Sequence, residues 1–123
     1  MADGESATDA MRSVDHERAA AAFIGRIRET FDDVIVSIIL FGSTVRGEAE
    51  GLSSDVDVMV VLDNDAPFDR TADALRDVAY DVMLEYGPVV ELHVVEESAY
   101  ERSLAEEQPF VRNVVREGIA YGG

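Results

Sequence analysis

Three short apolar runs rich in β-branched residues leave this chain few ways to fold: VIVSIILF at 34–41, VDVMVVL at 56–62 and VVELHVV at 89–95. Each has the length and composition of a strand rather than of a helix. The stretches around them carry the other period. From Asp15 to Phe31, the residues Ala19, Ala22, Phe23, Ile27 and Phe31 recur at helical spacing. From Phe68 to Tyr86, the same holds for Ala72, Leu75, Val78, Ala79 and Val82, with Gly87 and Pro88 as a stop.

Further along, Ser98 to Glu107 reads as a helix, and Pro109 suits the first turn of another that runs to Glu117. Gly118 ends it and leaves IAY as a short edge strand. Ser43 is placed to cap a short helix beginning at Thr44, and GEAEGLSS reads as a loop. Alternation of this kind predicts an α/β (α+β) fold, a small mixed central β-sheet flanked by helices on one or both faces. The expected organisation is a loose segment over residues 1–13 and one domain over 14–123.

Charge sets the next constraint. Twenty-six acids face ten bases, for a net charge of -16, and every base is Arg. Such a surface could dock a basic partner. It also suits a protein working in concentrated salt, where self-repulsion is screened within a few ångströms. The second reading is preferred, because the Lys-free acidic composition resembles that of proteins from salt-loving archaea. Non-specific nucleic-acid binding needs clustered positive charge and is not expected. The absence of Cys excludes disulfides, zinc-thiolate sites and cysteine nucleophiles. No apolar stretch has membrane-spanning length, and the acidic opening MADGESATDA reads as neither signal nor transit peptide, so a cytoplasmic location is expected.

The stretch FGSTVRGEAEGLSSDVDVMVVL, residues 41–62, carries the chemistry. Strand alternation puts Asp55 and Asp57 on one side and Val56, Val58 and Val60 on the other. Two carboxylates side by side repel each other, and burial makes that worse. In so acidic a chain the pair could be merely solvated, and an Asp-x-Asp alone is weak evidence. Upstream, however, a buried strand ends in Gly42-Ser43 and runs into a helix start. There a glycine permits close backbone approach, and amides with the Ser hydroxyl face whatever docks at the terminus. Arg46 adds a fixed positive charge. An anion cradle beside two hard oxygen ligands points to Mg²⁺ bridged to a triphosphate, an ion that relieves the repulsion.

Gly42-Ser43, Arg46-Gly47 and Ser54-Asp55-Val56-Asp57 together resemble the signature of the minimal nucleotidyltransferases, the MNT group of the DNA polymerase beta-like superfamily. Eleven residues separate Ser43 from Asp55, one more than the commonest spacing, within a loop that holds Gly47 and Gly51. The terminal PFVRNVVREGIAY is similar to the closing segment of that group, so the resemblance spans most of the chain.

The resemblance implies a nucleotidyltransferase fold and a third carboxylate on a later strand. Its match is Glu91, where the family usually has Asp. His93, on the same side, reads as a structural neighbour. The implied site therefore has Asp55, Asp57 and Glu91 as catalytic and metal-holding acids with two Mg²⁺ ions. Gly42, Ser43, Arg46 and Ser54 would hold the phosphates of ATP. Stand-alone members of the group are typically antitoxins paired with a HEPN-domain toxin. The resemblance thus implies transfer of AMP from ATP to a tyrosine of such a partner. Two other readings stand beside it: an MNT fold that neutralises its partner by binding alone, and nucleotidyl transfer to a small hydroxylated acceptor. Self-association is also open.

Overall fold

The computed structural model describes residues 2–42 and 55–121, with side chains from residue 15 onward. The elements in chain order are α1 (Ala2–Phe31), β1 (Ile35–Phe41), β2 (Val56–Leu62), α2 (Phe68–Tyr86), β3 (Val90–Glu96), α3 (Glu97–Ala105), α4 (Pro109–Glu117) and β4 (Ile119–Tyr121). The strands form one mixed sheet in the order β3-β2-β1-β4. β1 is antiparallel to both β2 and β4, whereas β2 and β3 run parallel. That parallel step is made through α2, a crossover of the kind parallel neighbours require. The expected mixed sheet flanked by helices is the fold found.

β2 and α4 begin and end where the sequence pattern places them, and so does α2. The N-terminal helix differs. It runs back to Ala2, well before the Asp15 at which its apolar face begins. The helix proposed to start at Thr44 lies outside the described residues.

Alternation along the strands builds two cores of unequal size. Val56, Val58, Val60 and Leu62 of β2 face α1 and α2, where they meet Phe23, Ile27, Leu75 and Val82. Full burial of each such side chain stabilises the fold by about 1.5–3 kcal/mol. Ile35 joins this face together with Ile38 and Leu40, although strict alternation would separate Ile35 from the other two. A register irregularity between Ile35 and Ser37 resolves the conflict: Ile35 pairs with Leu62 and Ser37 already with Val61. The extra residue turns Ile35 inward.

On the opposite face, Ile39, Met59, Val61 and Val114 form a smaller cluster, with Phe41, Val95 and Tyr100 against it. α3 and α4 cover this face only in part. Val111 and Val114 of α4 are buried, but Phe110 and Val115 remain about half exposed. α1 and α2 are further joined at their surfaces, where Arg26 donates to Glu85 and the Arg18 guanidinium lies 5.3 Å from the Tyr86 ring centroid. α2 ends at Gly87, whose φ of 105° suits a residue without Cβ and whose N–H donates to the Met83 carbonyl. No helix among the described residues is long and apolar enough to cross a membrane.

Candidate functional site

The less covered face of the sheet carries the acids. Residues of one parity on β2 and β3 point there: Asp57, Met59 and Val61 from β2, and Glu91, His93 and Val95 from β3. In the parallel register, Asp57 stands opposite Glu91 and Met59 opposite His93. One ligand atom each from Asp57, Glu91 and His93 lies within 4.8 Å of the other two. His93 Nε2 is 4.0 Å from Glu91 Oε1.

Asp55 precedes β2 and closes the group from the strand mouth. Its carboxyl is pushed above the usual carboxylate range, chiefly by burial and then by the negative charge of Glu91, with which it also shares a hydrogen bond. His16 of α1, only 4 % exposed, opposes the shift. The three acids expected from the sequence thus converge, with Glu91 as the shared neighbour.

Gly42 closes the other side. It follows β1 with φ of 82°, in the left-handed region. A Cβ there would run into the Asp57 carboxylate, whose Oδ2 is the nearest atom. Close backbone approach at this glycine is therefore real, and what approaches is the acid itself. Ser43, Arg46 and Ser54, the other expected phosphate-binding residues, lie outside the described residues.

Two histidines enlarge the group beyond the sequence reading. A lone His within a strand, such as His93, carries no local mark of a ligand. Its nearness to the carboxylates depends on the β2–β3 register and becomes visible only once the strands are paired. His16 stands on a polar helix turn with no motif around it, and no sequence signal marks it.

The donor set fits a divalent cation. Carboxylate oxygens gather at a partly open sheet face, and the negative charge of Glu91 adds to burial in raising the Asp55 carboxyl. Asp57 and Glu91, with Asp55 beside them, are the residues that would hold it.

Comparison with known proteins gives the family. Residues 22–121 match the nucleotidyltransferase domain family. Over 105 residues the chain is 30 % identical to a predicted protein adenylyltransferase of Methanocaldococcus jannaschii, an alignment covering 85 % of this chain and 96 % of that protein. Among solved structures it is similar to a mutant of the toxin–antitoxin MntA-HpeT, with a TM-score of 0.50, 21 % identity, and coverage of 81 % of this chain and 69 % of that one. It is also similar to a predicted nucleotidyltransferase of Sulfolobus solfataricus, with a TM-score of 0.45, 16 % identity, and coverage of 74 % and 76 %. The chain belongs to the nucleotidyltransferase domain family.

Proposed function

We propose that this family member is an adenylyltransferase acting on a protein: it moves AMP from ATP to a tyrosine hydroxyl of a HEPN-type toxin and so serves as that toxin's antitoxin. The observation that carries the reading is the convergence of Asp55, Asp57 and Glu91 at one end of the sheet. The relative from M. jannaschii, named for transfer to protein, supports the acceptor class. The MNT resemblance supports the partner, as does the MntA-HpeT pair that shares the fold.

In this reaction the acceptor oxygen bonds to the α-phosphorus, the bond from that phosphorus to the bridging oxygen breaks, and pyrophosphate leaves. The acceptor proton leaves with it or passes to a carboxylate. Bound Mg²⁺ would neutralise the triphosphate and favour in-line displacement. The chain's own part is to hold charge and direction. Asp57, backed by the tight approach of Gly42, fixes one side of the site. Glu91, in contact with Asp55 and near His93, is placed to help take the proton. Gly42 and the segment after it would receive the β- and γ-phosphates, with Ser43, Arg46 and Ser54 in the roles their motif implies.

The test is incubation of the purified chain with the protein encoded beside it, ATP and Mg²⁺. The expected result is one adenylyl group on a tyrosine of that neighbour, with loss of the neighbour's activity. An unmodified, fully active neighbour would sink the reading.

One observation favours a second reading. Glu91 stands where the family usually has Asp, which suits a weakened site in a protein that neutralises by binding. An Asp55→Asn, Asp57→Asn double variant that still neutralises the partner would support it.

A further inference from the structure

We propose that His93 is a cation ligand together with Asp57 and Glu91, and that its nitrogen gives the site a preference for a first-row transition-metal dication over Mg²⁺. The inference rests on the acid face being a metal site and does not require adenylyl transfer. Its ground is geometric. Asp57, Glu91 and His93 come from adjacent parallel strands, share a face, and bring one ligand atom each within 4.8 Å of the others. Metal–donor bonds of about 2.0–2.2 Å set donors around one ion at most about 4 Å apart, so the three side chains would close inward by small rotations to share a single small cation.

The imidazole is also held in place. Its ring packs against Phe41 with centroids 5.6 Å apart and against Phe110 at 5.3 Å, while the two phenyl rings are 5.8 Å from each other. The two phenyl rings come from β1 and α4, so two further elements hold a side chain carried by β3. Phe41 is itself the cross-strand partner of Asp57. The clamp and the carboxylates are therefore positioned by the same strand pairings. A ligand ordered before the ion arrives loses little freedom on binding it.

Donor chemistry then decides between metals. Mg²⁺ takes oxygen ligands and gives up its waters reluctantly. Imidazole suits the later first-row ions such as Fe²⁺, Ni²⁺ and Zn²⁺, and affinity rises along that series from Mn²⁺, the member nearest Mg²⁺ in its preference for oxygen. Two carboxylates and one imidazole form a mixed set that an oxygen-seeking ion uses poorly.

The test uses the full chain with Mn²⁺ as the probe and no nucleotide. Electron paramagnetic resonance should show bound Mn²⁺, and spin-echo modulation should show nitrogen coordinated directly to it. His93→Phe keeps a ring between Phe41 and Phe110 but has no nitrogen. That variant should lose the nitrogen signal and weaken Mn²⁺ binding at least about tenfold, with Mg²⁺ binding changed by less than about twofold. His93→Gln repeats the comparison should the phenyl ring disturb folding, which thermal unfolding reports. Absence of Mn²⁺ binding, bound Mn²⁺ without nitrogen coupling, or equal Mn²⁺ affinity without His93 overturns the proposal. Nitrogen-coordinated Mn²⁺ in a protein that adenylylates nothing leaves it standing and removes only the functional reading.

Discussion

Asp57 stands opposite Glu91 across the parallel strands β2 and β3, and opposite Phe41 across the antiparallel pair β1 and β2. A single residue thus connects the acid pair to the strand that ends in Gly42. Asp57→Asn keeps the size of the side chain and removes its charge, so the fold should persist. Divalent-ion binding and nucleotidyl transfer should fall together, by more than the about 10–100-fold typical of groups that merely support a metal ligand. Calorimetry with the ion and pyrophosphate release would read the two losses. Intact transfer in this variant would remove Asp57 from the site.

Asp55 gives a prediction with a sign. Its folded-state pKa lies above the ordinary carboxylate value, so the folded chain binds its proton more tightly than the unfolded chain does. The contribution is stabilising below the unfolded value and is lost as pH rises through the folded one. In chelator at neutral pH, Asp55→Asn should therefore be more stable than the wild type, and its advantage should shrink as pH falls through the carboxylate range. Urea midpoints of both proteins across that range provide the check. An advantage that grows on acidification would contradict burial and Glu91 as the source of the shift.

Gly42→Ala combines two costs at one position. A left-handed φ costs a residue with Cβ about 1–2 kcal/mol, and the added carbon also meets the Asp57 carboxylate. The carboxylate can swing away, so the protein should fold with a modest loss of stability. Ion binding should suffer more, since the atom displaced is a proposed ligand. Equal ion affinity in this variant and the wild type would show that the approach of Gly42 to Asp57 has no bearing on the site.

What the sequence reveals of the fold and what it hides divide along the range of the interactions involved. Val56–Leu62 and Pro109–Glu117 were legible to the residue because alternation, Pro109 and Gly118 act locally. Gly87-Pro88 marked the end of α2 for the same reason. The N-terminal extension of α1 was not read from the sequence, because its apolar positions, Ala7, Ala10, Met11 and Val14, are mostly small and lie among Asp, Glu, Ser and Thr. The surroundings of His93 were not legible for a different reason. Its neighbours Phe41 and Phe110 are remote in sequence, and Asp57 reaches it only through a parallel register that no turn motif fixes. The Asp-x-Asp motif points to Asp55 and Asp57 and the family resemblance to Glu91, so their grouping could be expected, but the close approach of Gly42 to Asp57 could not.

Salt dependence follows from α2, where Asp69, Asp73, Asp77, Asp81 and Glu85 recur every fourth residue and all are exposed. Residues four apart are neighbours on a helix surface, and each like-charge pair destabilises by about 0.2–0.5 kcal/mol. Arg76 offsets the row at Asp73 and Arg26 at Glu85. Asp77→Lys would replace two repulsions with two attractions, the better of them from Asp73 on its N-terminal side. The variant should gain about 0.8–2 kcal/mol in dilute buffer. At 1 M KCl the screening length is about 3 Å, shorter than the spacing between these side chains. The wild type should then be stabilised and the advantage of Asp77→Lys should disappear. Sucrose, which favours burial without screening charge, should stabilise both proteins equally and preserve the difference between them. Thermal unfolding of the two proteins in buffer, KCl and sucrose separates the effects. An advantage that survives molar KCl would mean that the acidic row does not govern how the stability of this chain responds to salt.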